Sequence, residues 1–159
     1  MIRRSTLIAL ASAALLSACA TTPAPAPLAD TLAREAQLST FNRLVAQAGL
    51  MDELRGAGPL TVFAPNDEAF KAVPAKTMAA LAADPALLKS VLAFHVIDGR
   101  MAAADARIGQ AKSRQGSNLS LAKAGSFVTV EDAVVLQADI IATNGVAHVI
   151  DRVMMPPKK

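Results

Sequence analysis

The 159-residue sequence contains no tryptophan or tyrosine, five phenylalanines, two histidines and one cysteine. Each scarcity closes off a class of chemistry. The aromatic platforms on which single-stranded nucleic acids and sugars stack are lacking. Two histidines and a cysteine do not furnish the three or four nitrogen and sulfur ligands of a zinc site, so no metal is expected. No P-loop, no Gly-x-Gly-x-x-Gly fingerprint, no Gly-x-Ser-x-Gly elbow and no Asp-x-Asp calcium spacing occurs. No cofactor and no catalytic residue is therefore assigned. Charge is sparse too: 16 Lys+Arg stand against 13 Asp+Glu, a formal net of +3. Two of those arginines, Arg3 and Arg4, lie in the first 18 residues, and the remainder carries 14 basic against 13 acidic groups, a net of +1. Phosphate binding needs a clustered basic footprint, so nucleic acid is not an expected partner.

Small apolar residues are what the chain has in abundance: 53% of it is hydrophobic, and alanine alone accounts for 35 residues. Part of this lies at the start, where Met1-Ile2-Arg3-Arg4 precedes the run LIALASAALLSA from Leu7 to Ala18. A short positive segment followed by a short apolar one has the layout of a secretory signal peptide, too short for a comfortable membrane span. The sequence Leu16-Ser17-Ala18-Cys19 resembles the bacterial lipobox, which implies cleavage before Cys19 and acylation of its thiol. Residues 1–18 are thus expected to be a lipoprotein signal peptide. Residues 19–27 then form the lipidated cysteine and an Ala/Pro tether, which favours extended chain. Several acyl groups, at about 0.8 kcal/mol per buried methylene, hold a protein firmly on a bilayer. By the sorting rule of the bacterial lipoproteins it resembles, Ala20 rather than Asp after the cysteine implies the outer membrane if the host is Gram-negative, with the domain in the periplasm or at the cell surface.

The folded domain is expected over residues 28–156, with residues 157–159 a basic tail. Its first third reads as helical: Asp30 is placed as the cap of a helix through Gln37, and Ser39 as the cap of a second one. In that second helix Leu38, Phe41, Leu44, Val45 and Ala48 recur on one face, and it ends at Gly49. A strand follows at Leu60–Ala64, then a helix capped by Asn66 with Asp67 and Glu68 in its first turn. A further helix is capped by Asp84 with Pro85 at its first position. From Phe94 the pattern turns to period two, giving strands near 94–97, 108–113, 118–122, 127–130, 134–141 and 146–150. Asn144-Gly145 is read as a type I′ hairpin turn between the last two. Helices followed by mostly antiparallel strands define an α+β domain.

His148 is in phase with Val146 and Ile150, and His95 with Ile97. A buried imidazole needs a partner for each nitrogen, so both histidines are read first as hydrogen-bonded core residues, and second as ligand-binding or catalytic ones.

Three segments in order point to one family. Thr61–Phe70 (TVFAPNDEAF) is very similar to the first signature of the fasciclin domain, and Ala142–Pro156 (ATNGVAHVIDRVMMP) to its closing signature. Val91–Met101 (VLAFHVIDGRM) resembles the central Tyr-His stretch, with Phe94 in the tyrosine position. The resemblance implies a β-wedge of about seven mostly antiparallel strands flanked by several helices, acting by binding rather than catalysis. It makes Phe94, His95, Val96 and Ile97 candidate partner-binding residues. Thr61, Asn66, Asp67, Asn144, His148 and Asp151 become polar determinants of the fold. The function expected is a monomeric, lipid-anchored adhesion or envelope module whose partner is an envelope or extracellular protein or polysaccharide, and which meets the membrane only through its anchor. The alternative is a small-molecule carrier or sensor with a pocket near His95 and His148.

Overall fold

The computed structural model describes residues 24–157. The expected signal peptide, Cys19 and the first residues of the tether lie outside the described residues, as do Lys158 and Lys159. Six helices and seven strands follow the order α1 (Leu28–Ala33), a 3₁₀ turn (Ala36–Leu38), α2 (Ser39–Gln47), α3 (Met51–Arg55), β1 (Leu60–Pro65), α4 (Asp67–Lys71), α5 (Ala75–Ala83), α6 (Pro85–Phe94), β2 (Val96–Asp98), β3 (Gly109–Lys112), β4 (Asn118–Ala124), β5 (Phe127–Val130), β6 (Ala133–Ala142) and β7 (Gly145–Ile150).

The strands form one sheet in the order β2-β1-β7-β6-β5-β4-β3. Five of its pairings are antiparallel and one, β1 with β7, is parallel. A bridge between Ile97 and Ser113 brings the two edges together, so the sheet is nearly closed. This is the expected α+β architecture.

All six residues of β1 and all six of β7 are buried. Parallel pairs covered on both faces read as unbroken apolar runs, as here. Alternate residues serve two cores. Leu60, Val62, Ala64, Ala147 and Val149 face the helices, packing with Leu32, Phe41, Val45, Leu88 and Leu92. Phe63 and Ile150 face the folded-over half of the sheet, packing with Phe94, Leu119, Leu121 and Val130.

Local signals succeed where the partner of a backbone group lies nearby in sequence. Asn66 caps α4, its side chain accepting from Ala69 N at 2.8 Å. Asp84 caps α6, accepting from Ala86 N and Leu87 N. The first two helices differ from expectation. Asp30 sits inside α1, which starts at Leu28 and ends at Ala33, and its carboxylate pairs with Arg55 at 2.7 Å. Ser39 is the first residue of α2 rather than its cap. Phe94 closes α6, so β2 starts two residues later than the period-two reading placed it.

The hairpin between β6 and β7 forms, but not with the expected turn. Ala142 pairs with Gly145, which makes Thr143 and Asn144 the loop residues, and neither has the positive φ that a type I′ turn demands. Gly145 belongs to β7 and is needed for a different reason. A Cβ there would sit 2.1 Å from the Leu60 carbonyl oxygen and 2.8 Å from Leu28 Cδ1. The parallel β1–β7 pair begins at this contact.

Gly145→Ala is expected to cost about 2–3 kcal/mol, the upper range for overpacking, measured as a shift in the urea midpoint. Gly109→Ala, in a strand with nothing within 4 Å of the added methyl, is expected to be neutral or slightly stabilising. Equal midpoints for the two variants would show that the close approach at Gly145 carries no energy.

Candidate functional site

Asn144 stands at the start of the parallel pair and closes three backbone ends with one amide. Its Oδ1 accepts from Leu28 N at 2.8 Å, satisfying the first amide of α1. Its Nδ2 donates to Leu54 O and Gly56 O, each at 2.8 Å, the carbonyls that α3 leaves open at its end. Its own carbonyl accepts from Leu60 N at the first residue of β1. Helix ends leave such groups without intrahelical partners, and here a residue 116 positions away supplies them.

Asp67 acts in the same way on α2. It accepts from Thr40 N and from the Ser39 hydroxyl, both at 2.8 Å, so the cap of α2 comes from α4. Burial opposes its ionisation, but the bonds from Thr40 and Ser39 outweigh this and hold the carboxyl below the ordinary aspartate value. At the other end of the pair, Asn66 N donates to Ile150 O. Asp151 and Val134 exchange bonds there: Val134 N donates to Asp151 Oδ1 at 2.7 Å, and Asp151 N to Val134 O at 3.1 Å.

Thr61 and His148 fasten the segment after β2. The Thr61 hydroxyl donates to Gly99 O at 2.8 Å and accepts from Met101 N at 2.9 Å. His148 Nε2 donates to Met101 O at 2.8 Å, while Nδ1 accepts from Asp139 N at 3.2 Å. A carbonyl can only accept and an amide can only donate, so the proton must be on Nε2. The ring stacks on Phe63 at a centroid distance of 5.5 Å. Burial lowers its pKa, with the Met101 bond and the Asp139 charge acting in the opposite sense. Asp139 is a determinant that the sequence reading missed. It stands in an irregular stretch of β6 with φ +57°, and its carboxylate accepts from Ala103 N at 2.9 Å. A lone aspartate inside an apolar strand was its only signal, since Asp tolerates the left-handed region better than β-branched residues do.

His95 is fully buried and joins α6 to the C-terminal segment. Its Nδ1 faces Val91 O at 2.8 Å and its Nε2 accepts from Met154 N at 3.0 Å. By the same logic the proton is on Nδ1, the opposite tautomer to His148. Burial pushes the imidazole down to about 4, against the bond to Val91 that favours the charged form. The two histidines share no hydrogen-bond partner.

Each imidazole is thus neutral, with both nitrogens engaged by backbone. Neither is poised to bind a ligand or transfer a proton. The cavity beside His148, lined by Phe63, Met101, Ala106, Leu121 and Val128, holds about 10 Å³, room for one water at most. This geometry does not favour a small-molecule carrier built on His95 and His148. Among the described residues, no three of His, Cys, Asp and Glu come together as a metal site would require.

The partner-binding expectation for Phe94, His95, Val96 and Ile97 requires correction. Their side chains are only 2, 0, 6 and 2% exposed, respectively. Phe94 and Ile97 fill the inner core, and Val96 packs toward the helices. The apolar end of α6 and the strand after it are consumed in joining the two cores. Open volume lies at the surface instead. A groove of 670 Å³ runs beside Asp98, Lys112 and Arg114, and grooves of 390 and 310 Å³ flank Arg152–Met155.

The family model described as Fasciclin domain matches residues 36–156. Protein sll1483 of Synechocystis sp. is 41% identical over 123 residues, covering 74% of this chain and 68% of that protein. Cell surface glycolipoprotein MPB83 of Mycobacterium bovis is 35% identical over 137 residues, 82% of this chain and 61% of that protein. Transforming growth factor-beta-induced protein ig-h3 of Sus scrofa is 36% identical over 137 residues, 86% of this chain but only 20% of that much longer protein. Among solved structures, a FAS1 domain pair from the insect cell adhesion molecule Fasciclin I superposes with a TM-score of 0.65 at 17% identity. It covers 82% of this chain and 51% of that one, a likeness of fold.

Two outcomes follow from the polar network. Asn144→Asp keeps the acceptor for Leu28 N but turns an oxygen toward the carbonyls of Leu54 and Gly56. It is expected to cost about 2 kcal/mol in equilibrium unfolding, as a lost and partly repulsive bond set does; an unchanged midpoint would deny Asn144 its role. For His95, the unfolded chain (pKa 6.5) binds protons that the folded one (about 4) excludes. Stability is fully present above pH 6.5 and lost as pH falls through that window, by about 3 kcal/mol at pH 4. Urea midpoints from pH 7 to 4 should show this decline, and its persistence unchanged in a folded His95→Gln variant would assign it elsewhere.

Proposed function

Because this chain belongs to the fasciclin domain family, we propose that it is a non-catalytic binding module, exported and held on a membrane by acyl chains on Cys19. The reading places it at the outer membrane if the host is Gram-negative, with the domain contacting an envelope or extracellular protein or polysaccharide through its surface. One observation carries the non-catalytic part. Thr61, His95, His148 and Asp151, the buried or strand-end groups with acid–base or nucleophilic potential, are each engaged by backbone amides or carbonyls. Catalysis needs a group with a free valence facing substrate, and the buried Thr61, His95 and His148 have their hydroxyl proton and ring nitrogens taken up by backbone. The names of relatives support the setting: one is a cell surface glycolipoprotein, and the structural neighbour comes from a cell adhesion molecule. The lipobox-like Leu16-Ser17-Ala18-Cys19 supports the anchor.

Two variants in the native host test the two halves of the reading. Removal of residues 28–156 with the anchor retained is expected to lower adhesion, biofilm formation or envelope association several-fold. Cys19→Ala is expected to move the protein out of the membrane fraction, with acyl mass lost from the mature N-terminus. Unchanged adhesion in the first strain overturns the binding module, and an unmodified Cys19 in the wild-type protein overturns the anchor.

A further inference from the structure

The chain is fixed to the domain from Ala24 onward. Ala26 O accepts from Thr143 N at 2.9 Å and from the Thr31 hydroxyl at 3.0 Å, and Ala24 O accepts from Arg34 Nη1 at 3.0 Å. Residues 24–27 of the Ala/Pro stretch expected to act as a spacer are therefore part of the folded body. Only residues 20–23 separate Cys19 from Ala24. Whatever conformation they take, five Cα–Cα steps reach at most about 18 Å. That is less than the width of a domain of this length, whose radius of gyration is about 14 Å.

From this we infer that the lipid bilayer is a docking partner of the folded domain, through the face around Ala24, Pro25 and Ile141. The inference rests on the anchoring of Cys19 proposed above. With the acyl chains in the membrane, the short leash keeps this pole of the domain within about 18 Å of the headgroups. The surface there suits contact with an interface. Ala24 and Pro25 are exposed, Ile141 is 67% exposed at the end of β6, and together with Thr31 and Arg34 they line a groove of 240 Å³. Arg34 and Glu35 both border it, so the constraint is the leash and the apolar rim rather than net charge. β6 runs from this pole to the Glu131–Asp132 turn, about 30 Å away at 3.3 Å per residue. The turn, and the grooves flanking Arg152–Met155 beside it, then face outward, which assigns the membrane-distal pole to the partner.

The test uses the full acylated protein in vesicles of phosphatidylethanolamine and phosphatidylglycerol carrying nitroxide headgroups. A fluorophore is attached through Ile141→Cys or, for comparison, through Asp132→Cys, with circular dichroism confirming that both variants remain folded. Position 141 is expected to be quenched several-fold more than position 132. An insertion of about 20 Gly/Ser residues between Pro23 and Ala24, roughly 25 Å root-mean-square, should reduce the difference. Flotation with the vesicles but equal quenching at both positions overturns the docking while leaving the anchor standing. Crosslinking of two copies through position 141 on the vesicle also overturns it, assigning the face to a second copy. Failure to float overturns the anchor and the docking together.

Discussion

The first and last strands, β1 and β7, lie side by side in parallel with both of their faces buried, and the rest of the molecule is arranged around that pair. Burial on two faces gives each strand two sets of apolar contacts, one with the helices and one with the folded-over half of the sheet. At both ends of the pair, in partly buried surroundings, backbone groups run out of strand partners. Such groups are costly unless paired inside the protein. At one end Asn144 serves α1, α3 and β1, and at the other Asn66 and Asp151 serve β7, α4 and β6. Gly145 is glycine because the pair begins with a backbone contact closer than any Cβ allows.

This constraint bears directly on function. The polar residues that look most chemical in the sequence are those recruited to close the ends of the pair and to pin the Gly99–Met101 segment. Their hydrogen-bonding capacity is used internally, and the imidazoles are locked as neutral, opposite tautomers. The same holds for Phe94 to Ile97, which link α6 to β2 and serve both cores. Recognition is left to what lies outside: exposed side chains, shallow grooves and the orientation in which the domain is held. On the proposed anchoring of Cys19, the few residues before Ala24 would act on that last variable, turning a point of attachment into a choice of face.

Where elements were legible in the sequence, the information was local. Asn66 and Asp84 cap their own helices within three residues, and the alternation of β4 and β5 follows from period-two burial. The errors have a common cause. α1 and α2 are capped by Asn144 and Asp67, residues remote in sequence, so Asp30 and Ser39 were natural but mistaken choices. Asn144-Gly145 matches a favoured turn pair, but the turn lies one residue earlier, because Gly145 answers a steric demand from Leu60 on another strand. Asp139 offered almost no local signal, since its role depends on an irregularity in β6 and on a loop more than thirty residues away.

The α+β class, the apolar runs of the central strands and the absence of metal and phosphate motifs were legible in the sequence alone. These depend on composition, short spacing and neighbouring residues, which are encoded where they act. Only the tertiary structure decided which polar side chain closes which helix, that His95 and His148 serve separate networks, that Phe94–Ile97 is interior, and that the tether is folded onto the domain from Ala24. Each of these is a pairing between residues distant in the chain, and no local preference specifies it until the two buried strands have brought its partners together.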